Sequence, residues 1–464
     1  MKVWLTHGYF IGNDPLEQKI MKPYPPLGIL YISAYLHQQK IDNKLFDSTF
    51  SDRESWWADW TAYQPDVMAI YTNLMTKVQV LALVQEIKKL PEGKRPKIVL
   101  GGPDITYNVD NYLAAGADFL VIGEGEQSVT ELVQGLESGA DLSTIPGLAF
   151  KQNGETVQTP ARVKIKNLNE LPMPNREGID LDRYLKAWKG RHGYSAINVS
   201  TQRGCPYTCK WCSTAVYGQS YRRRDPVQVA DEIEFLLERY QPDSIWFVDD
   251  VFTVSHKWLE AFYQEVKKRK LVFQYECITR AERMSEDVLH WLKESGCFRV
   301  WIGAESGSQK VIDAMDRRVN VSTVQDMLVK TRQKGMETGT FIMLGYPGEE
   351  EEDIVQTVKY LKAANPSQFT ITKSYPIKGT ALYNEIESKL TKVPEWTTST
   401  DRELDFERPY SDKYYHFAVR WVVNEVSSHQ EWVKNGPSVA FWKLKGKSLF
   451  ARTGMRLHKK GDRP

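Results

Sequence analysis

The chain has 464 residues, 41% hydrophobic and 12% aromatic, which suits two to four domains with buried cores and excludes a disordered chain. Its 61 Lys and Arg balance 59 Asp and Glu, an argument against a general nucleic-acid or polyanion binder. No stretch approaches the roughly 18 apolar residues of a membrane span, and Met1 to Leu5 begins like a strand instead of a secretion signal, so a cytoplasmic protein is expected.

From the amino terminus, short apolar runs predict strands at Val3–Leu5, Lys44–Phe46, Val67–Tyr71, Ile98–Leu100 and Phe119–Ile122. Helical patterns separate them at Gly28–Gln39, Lys77–Leu90 and Val109–Ala115. This rhythm predicts an α/β, doubly wound, Rossmann-like domain over residues 1–140, with ligand-binding loops at the carboxyl ends of its strands. The unusual sequences fall at those ends: Tyr24 to Gly28, Tyr71 to Leu74, Gly101 to Asp104 and Gly123 to Glu126. Residues 141–193 read as a Pro-punctuated linker. A second series of strands follows near Ala196–Ser200, Ser244–Val248, Phe273–Thr279, Val300–Ala304, Gly339–Leu344 and Phe369–Lys373. It predicts a partial (β/α)6 barrel over 194–388. Residues 389–464 form a mainly helical region, with a helix predicted over Lys413–Val433.

Chemistry concentrates in Cys205, Cys209 and Cys212, spaced C-x3-C-x2-C directly after the first barrel strand. Three of only five cysteines within eight residues indicate metal binding in a reducing compartment, not a disulfide framework. Four-iron cubanes ordinarily take four thiolates, so three leave one iron open to an external ligand. The competing reading is zinc with a distant fourth ligand such as His192. Cys277 and Cys297 read as buried core residues.

This loop, with Trp211 as its aromatic, resembles the signature of the radical S-adenosylmethionine (SAM) superfamily. The resemblance implies a [4Fe-4S] cluster on Cys205, Cys209 and Cys212 whose open iron chelates SAM, and cleavage of SAM to a 5′-deoxyadenosyl radical. It extends over about residues 195 to 385 and implies SAM contacts at Trp211, Asp249, Asp250, Arg280, Glu305, Ser306, Gly345 and Pro347. Strand alternation independently puts Gln274, Glu276, Ile278 and Arg280 on one face. Arg280 is equally readable as a partner for a carboxylate of SAM or substrate and as a strand-end salt bridge. Asp249 and Asp250 are also readable as a cap for a helix starting near Ser255.

A Rossmann-like domain ahead of such a core resembles the cobalamin-binding radical SAM subfamily. The resemblance implies cobalamin contacts at Pro26, Leu27 and Gly28, at Thr72, Leu74 and Thr76, at Gly101, Gly102 and Pro103, and at Gly123, Glu124, Gly125 and Glu126. Asp104 replaces the His that often follows the paired glycines. Leu5-Thr6-His7-Gly8 lacks the D-x-H-x-x-G that supplies a lower cobalt ligand, so His7 reads as a structural loop residue. The G-x-G-x-x-G dinucleotide fingerprint is missing after the first strand.

The implied activity is transfer of a methyl group from methylcobalamin to an unactivated carbon or phosphorus centre of a small molecule, with electrons from a flavodoxin- or ferredoxin-type donor. Anaerobic magnesium-protoporphyrin ester cyclases share the architecture, so a ring-forming or oxidative reaction is the alternative. A cobalamin or cluster sensor is a third reading, weakened by the open iron. No nucleic-acid partner is expected. The basic run Lys443, Lys445, Lys447, Arg452, Arg456, Lys459, Lys460 and Arg463, with aromatics among and before it, leaves room for membrane-surface contact.

Overall fold

The computed structural model describes residues 1–213 and 217–459; the expectations for Lys460 and Arg463 lie outside the described residues. Packing divides the chain into two compact units. One comprises Met1–Pro206, Ser213–Trp246 and Pro394–Glu403; the other comprises Tyr207–Cys212, Phe247–Val393 and the chain from Leu404 onward.

Seven strands open the first unit: β1 (Val3–His7), β2 (Asn43–Phe46), β3 (Val67–Tyr71), β4 (Lys97–Gly101), β5 (Phe119–Val121), β6 (Leu148–Gln152) and β7 (Glu155–Gln158). They form one sheet in the order β2-β1-β3-β4-β5-β6-β7. The first five run parallel and the last two add antiparallel. Side chains of a strand alternate between faces, and the core divides accordingly. Val3 and Leu5 pack with Ile29, Leu30 and Leu132, whereas Trp4 packs with Trp56, Val80 and Leu83. Trp4 is fully buried, and its Nε1 donates to Asp59 Oδ2 at 2.9 Å, so its one polar atom is satisfied. Strand order reverses between β1 and β3, which makes the carboxyl ends of these strands the natural ligand crevice of the sheet.

The stretch read as linker contributes the β6–β7 hairpin and a helix, Leu181–His192, whose start is fixed by Asp180 accepting from Arg183 N. Next come β8 (Ala196–Val199), the short antiparallel pair β9 (Gln202–Arg203) and β10 (Arg222–Arg223), and β11 (Ser244–Phe247).

The second unit is built on β12 (Tyr275–Thr279), β13 (Cys297–Glu305), β14 (Glu337–Leu344) and β15 (Gln368–Lys373), paired in parallel in chain order. The strands of the second series lie in the sheet order β15-β14-β13-β12-β11-β8, the successive order of a partial α/β barrel. Cys277 and Cys297 are buried on β12 and β13, as expected of core thiols. Two long helices, Asp412–Asn435 and Val439–Leu457, pack on each other near the carboxyl end. Among the described residues no helix is long and apolar enough to cross a membrane.

Candidate functional site

In the first unit, all four loops singled out in the sequence lie on the carboxyl side of parallel strands. Pro26 caps the Leu27–Gln38 helix, so Leu27 and Gly28 open its first turn. After β3, the Asn73 side chain accepts from Met75 N at 2.9 Å and Thr76 N at 3.0 Å, while Thr76 Oγ1 accepts from Asn73 N at 3.0 Å. Thr72 and Thr76 are buried, and Leu74 stays partly open. After β4, Gly102 has φ +122°, and a Cβ there would stand 2.0 Å from Thr72 O. That glycine is required by the neighbouring backbone, a reason different from the cofactor approach expected of it. Asp104, in the position of the missing His, accepts from Tyr112 OH beside Gly101, Gly102 and Pro103. After β5, the point where Gly123 would carry a Cβ has no atom within 4 Å, so this loop offers bare backbone to free volume. Such a cradle fits a bulky cofactor.

His7 does not present a nitrogen for cobalt. Its Nε2 lies 2.9 Å from Asp47 Oδ1, and its Nδ1 accepts from Tyr9 N at 3.2 Å. The partnership with His7 holds the Asp47 carboxyl below its usual value despite burial, which acts in the opposite sense.

Glu124 and Glu126 are committed elsewhere. Arg203 Nη2 donates to Glu126 Oε1, and Glu124 Oε1 lies 2.6 Å from Arg222 Nη1 and 3.6 Å from Arg203 Nη1. All four side chains are nearly excluded from solvent, and the Arg203 guanidinium also stands over the rings of Tyr31 and Tyr217. Burial works against the Arg203 charge, but Glu126, Tyr217 and Glu124 together more than offset it and the guanidinium is held charged. Arg203 and Arg222 are register partners on β9 and β10, which flank the cysteine segment. A second buried network, Arg176–Glu232–Arg224, supports the same region: Arg176 Nη2 reaches Glu232 at 2.7 Å and Asn198 O on β8 at 2.7 Å. Sequence reasoning missed these arginines because their partners lie elsewhere in the chain, 56 positions away for Arg176 and 77 for Arg203.

Cys205 is buried and closes the first unit's share of the cysteine motif. Gly204 before it has φ +83°, and a Cβ would stand 2.3 Å from Ser220 Oγ, so a side chain there would clash.

In the second unit, the segment carrying Cys209 and Cys212 is tied down at several points. Cys212 N donates to Cys209 O at 3.1 Å, Lys210 N to Met315 O at 3.2 Å and Leu382 N to Lys210 O at 2.9 Å. Trp211 packs against a cluster that includes Val311, Met315 and Tyr346. Arg280, at the end of β12, donates from Nη1 to Cys209 Sγ at 3.3 Å and from Nη2 to Arg317 O. It pairs with Glu282 and lies 4.1 Å from the Tyr207 ring centroid, so it meets both a strand-end carboxylate and a cysteine of the motif.

The other strand ends hold carboxylates in unusual states. Glu305 ends β13 with φ +64°, and burial pushes its carboxyl up to about 7 although Arg317 and Arg280 pull the other way. Asp249 is buried; Asp250 still meets solvent, yet protein crowding and the Asp249 charge raise its carboxyl. Neither caps the following helix: Ser255 does, its Oγ accepting from Trp258 N at 3.2 Å. Ser306 Oγ lies 3.2 Å from Thr357 Oγ1 and accepts from Ser308 N. After β14, Gly345 N donates to Glu349 Oε2 at 2.5 Å and Pro347 continues the turn. Burial pushes the Glu349 carboxyl up to about 8 against that hydrogen bond.

The donor set suits an iron–sulfur cluster better than zinc. No disulfide ties the three thiols, the Arg280 guanidinium stands 3.3 Å from Cys209 Sγ, and His192 is engaged with Ile20 O at 2.9 Å. Among the described residues no three His, Cys, Asp or Glu side chains are gathered into a metal site.

Comparison with known proteins agrees with this chemistry. Residues 199–361 match the radical SAM superfamily and residues 18–133 match the B12 binding domain. The chain is 29% identical over 387 residues to an uncharacterized methyltransferase of Pyrococcus horikoshii, covering 81% of this chain and 82% of that one. It is 26% identical over 412 residues to the anaerobic magnesium-protoporphyrin IX monomethyl ester cyclase of Rubrivivax gelatinosus, covering 84% and 71%. Its fold matches that of TsrM, a radical S-adenosylmethionine methyltransferase from Kitasatospora setae solved with cobalamin and a [4Fe-4S] cluster. The TM-score is 0.74 at 17% identity, covering 98% of this chain and 99% of that one. With a B12-binding domain followed by a radical SAM domain that carries the C-x3-C-x2-C motif, the chain belongs to the cobalamin-binding radical SAM enzyme family.

Proposed function

We propose that this enzyme transfers a methyl group to an unactivated carbon, or phosphorus, centre of a small molecule. The observation that carries the reading is the three-cysteine motif after β8 in a chain that also has a B12-binding domain. Similarity to a methyltransferase over 81% of the chain supports it. The bound cluster, SAM and cobalamin supply radical and methyl-transfer chemistry, and the protein supplies binding, orientation and exclusion of water.

In this proposal residues 1–140 bind the cobalamin and 194–388 hold the cluster and SAM, with 141–193 between them and 389–464 beyond. Cys205, Cys209 and Cys212 hold the cluster, and Arg280 orients Cys209 by donating to its sulfur. Asp249, Asp250, Glu305, Ser306, Gly345 and Pro347 line the SAM side, and Trp211 braces the motif from the core. A Glu305 carboxyl poised near 7 can hold a proton or accept a hydrogen bond from a ligand hydroxyl. The glycine-bearing loops of the first domain hold the cobalamin through backbone, while Glu124 and Glu126 serve as braces. An external one-electron donor of the flavodoxin or ferredoxin type completes the system.

The test is anaerobic reconstitution with iron, sulfide and cobalamin, then reduction with methyl-deuterated SAM and a panel of small molecules. A deuterated methyl in a product, with S-adenosylhomocysteine formed alongside, is expected. Formation of 5′-deoxyadenosine with an oxidised or cyclised product that carries no deuterium would replace this reading with the cyclase-like one.

A further inference from the structure

The Val439–Leu457 helix contains no acidic residue, and its two faces differ sharply. The inner face is fully used. Ser448, Ala451, Gly454 and Met455 are buried, and a Cβ on Gly454 would stand 2.5 Å from the Phe417 ring. Lys445 Nζ and Ser448 Oγ reach Glu425 at 2.8 and 2.6 Å, and Arg452 Nη2 reaches Glu351 at 2.6 Å. Three of the charges that the sequence analysis grouped as one basic run, Lys445, Arg452 and Lys459, are therefore spent on internal ion pairs.

The outer face is apolar and open. Val439, Trp442, Leu449, Phe450 and Leu457 recur at helical spacing with exposures of 86%, 63%, 62%, 62% and 75%. Trp432 and Val433, at the end of the preceding helix, continue the patch through Phe441, whose ring lies 5.1 Å from Trp432 and 5.0 Å from Trp442. Lys443 and Lys447 border this face, are exposed, and form no ion pair among the described residues. The last acid before the helix, Glu431, is held by Ser438 and Asn435.

A contiguous apolar face of this size on a water-soluble surface marks a contact site. Its charge selects the partner. A second copy would set Lys443 and Lys447 against the same lysines with no acid on the helix to answer them, a like-charge juxtaposition. An anionic bilayer answers both halves: the apolar stripe enters the acyl boundary, and the lysine stems reach up to headgroup phosphates. We propose that the Val439–Leu457 helix seats this enzyme on an anionic lipid surface, with Val439, Trp442, Leu449, Phe450 and Leu457 inserted and Lys443 and Lys447 on phosphates. This contact is separate from the cofactor chemistry and needs neither cluster nor cobalamin.

The experiment is flotation of the full chain with vesicles of equal phosphatidylglycerol and phosphatidylcholine, or of phosphatidylcholine alone, at low and high salt. Anionic vesicles at low salt are expected to carry the protein up, and neutral vesicles or high salt to weaken the partition at least tenfold. Trp442→Glu with Phe450→Glu is expected to lose at least tenfold in partition. Lys443→Glu with Lys447→Glu is expected to abolish the preference for phosphatidylglycerol. All four side chains are exposed, so circular dichroism melting should stay within a few degrees of the parent. Failure to float on anionic vesicles, or equal flotation by the Trp442/Phe450 variant, overturns the proposal. A dimer seen by light scattering that this same variant dissolves, with no flotation by the parent, would assign the face to a second copy.

Discussion

Truncation of Glu126 separates two roles for one carboxylate. As a cobalamin contact, its loss lowers cobalamin retention and leaves the apoprotein unchanged. As a brace, its loss strands Arg203, whose side chain is 7% exposed. Removing one partner of a buried ion pair costs about 3–5 kcal/mol. Glu124 remains 3.6 Å from Arg203 but is already shared with Arg222 at 2.6 Å, so only the lower end is relieved, and about 3 kcal/mol is expected for Glu126→Ala. For a unit of this size that corresponds to a fall of roughly 6–12 °C in apoprotein Tm. Because Arg203 stands two residues before Cys205, iron bound per chain after reconstitution should fall as well. The assay pairs apoprotein melting with iron and cobalamin analysis and the electron paramagnetic resonance signal of the reduced cluster. An apolar double variant, Arg203→Met with Glu126→Leu, should recover most of the lost stability, since the buried charge goes with its partner. An unchanged apoprotein Tm with full iron and reduced cobalamin in Glu126→Ala would refute the brace and restore the cofactor role.

The remaining predictions concern the turn after β14, the close contact after β3 and the thiols. Glu349 has its folded carboxyl near 8 against an ordinary 4.5, so the unfolded chain loses that proton first and stability falls as pH rises from about 4.5 to about 8. The slope is on the order of 1.4 kcal/mol per pH unit at most. Glu349→Gln keeps an acceptor for Gly345 N and should flatten the dependence of Tm on pH across that window; an unaltered slope would count against it. Gly102→Ala meets Thr72 O at 2.0 Å in a left-handed backbone and should cost roughly 3 kcal/mol or more by urea unfolding, whereas Gly101→Ala, with ordinary contacts of 3.7 Å, should cost less than about 1.5 kcal/mol. Cys209→Ala should lose the cluster's visible absorbance after reconstitution. Cys277→Ser should keep it and pay only for a buried hydroxyl, about 1–3 kcal/mol in urea; loss of iron in the second variant would reopen the ligand assignment.

Much of the architecture is legible in the sequence because buried strands are short apolar runs and helices show a 3.6-residue rhythm. Val67–Tyr71 is met to the residue, and Asp412–Asn435 extends the predicted helix by one and two positions. The Leu181–His192 helix is not legible, because Pro172, Pro174 and Gly178 just ahead of it give the whole stretch the look of a loop. At β13 the expected Val300–Ala304 stops short, since Arg299 looks like a strand terminator. In the fold it continues the strand, bonded to Glu276 at 3.0 Å and to Glu337 at 2.6 Å across both neighbours. The site divides the same way. The cysteines and glycine-bearing loops show themselves by spacing, whereas the partners of Glu124, Glu126, Glu305 and Arg280 are set by tertiary contacts. A carboxylate in a loop looks identical whether it awaits a ligand or is already paired.

The Arg203–Arg222 register pair on β9 and β10 also bears on how the metal site assembles. Between those residues the chain makes an excursion of about 18 residues that includes all three motif cysteines. Bringing the ends of a free segment of that length together costs on the order of 2.5 kcal/mol in loop-closure entropy. The hairpin and the carboxylates behind it meet that cost on folding, before any iron arrives. On the proposed ligand assignment the cysteine segment is then a pre-closed chelate ring, and the free energy of cluster binding goes into metal–sulfur bonds, with little spent on closing the chain.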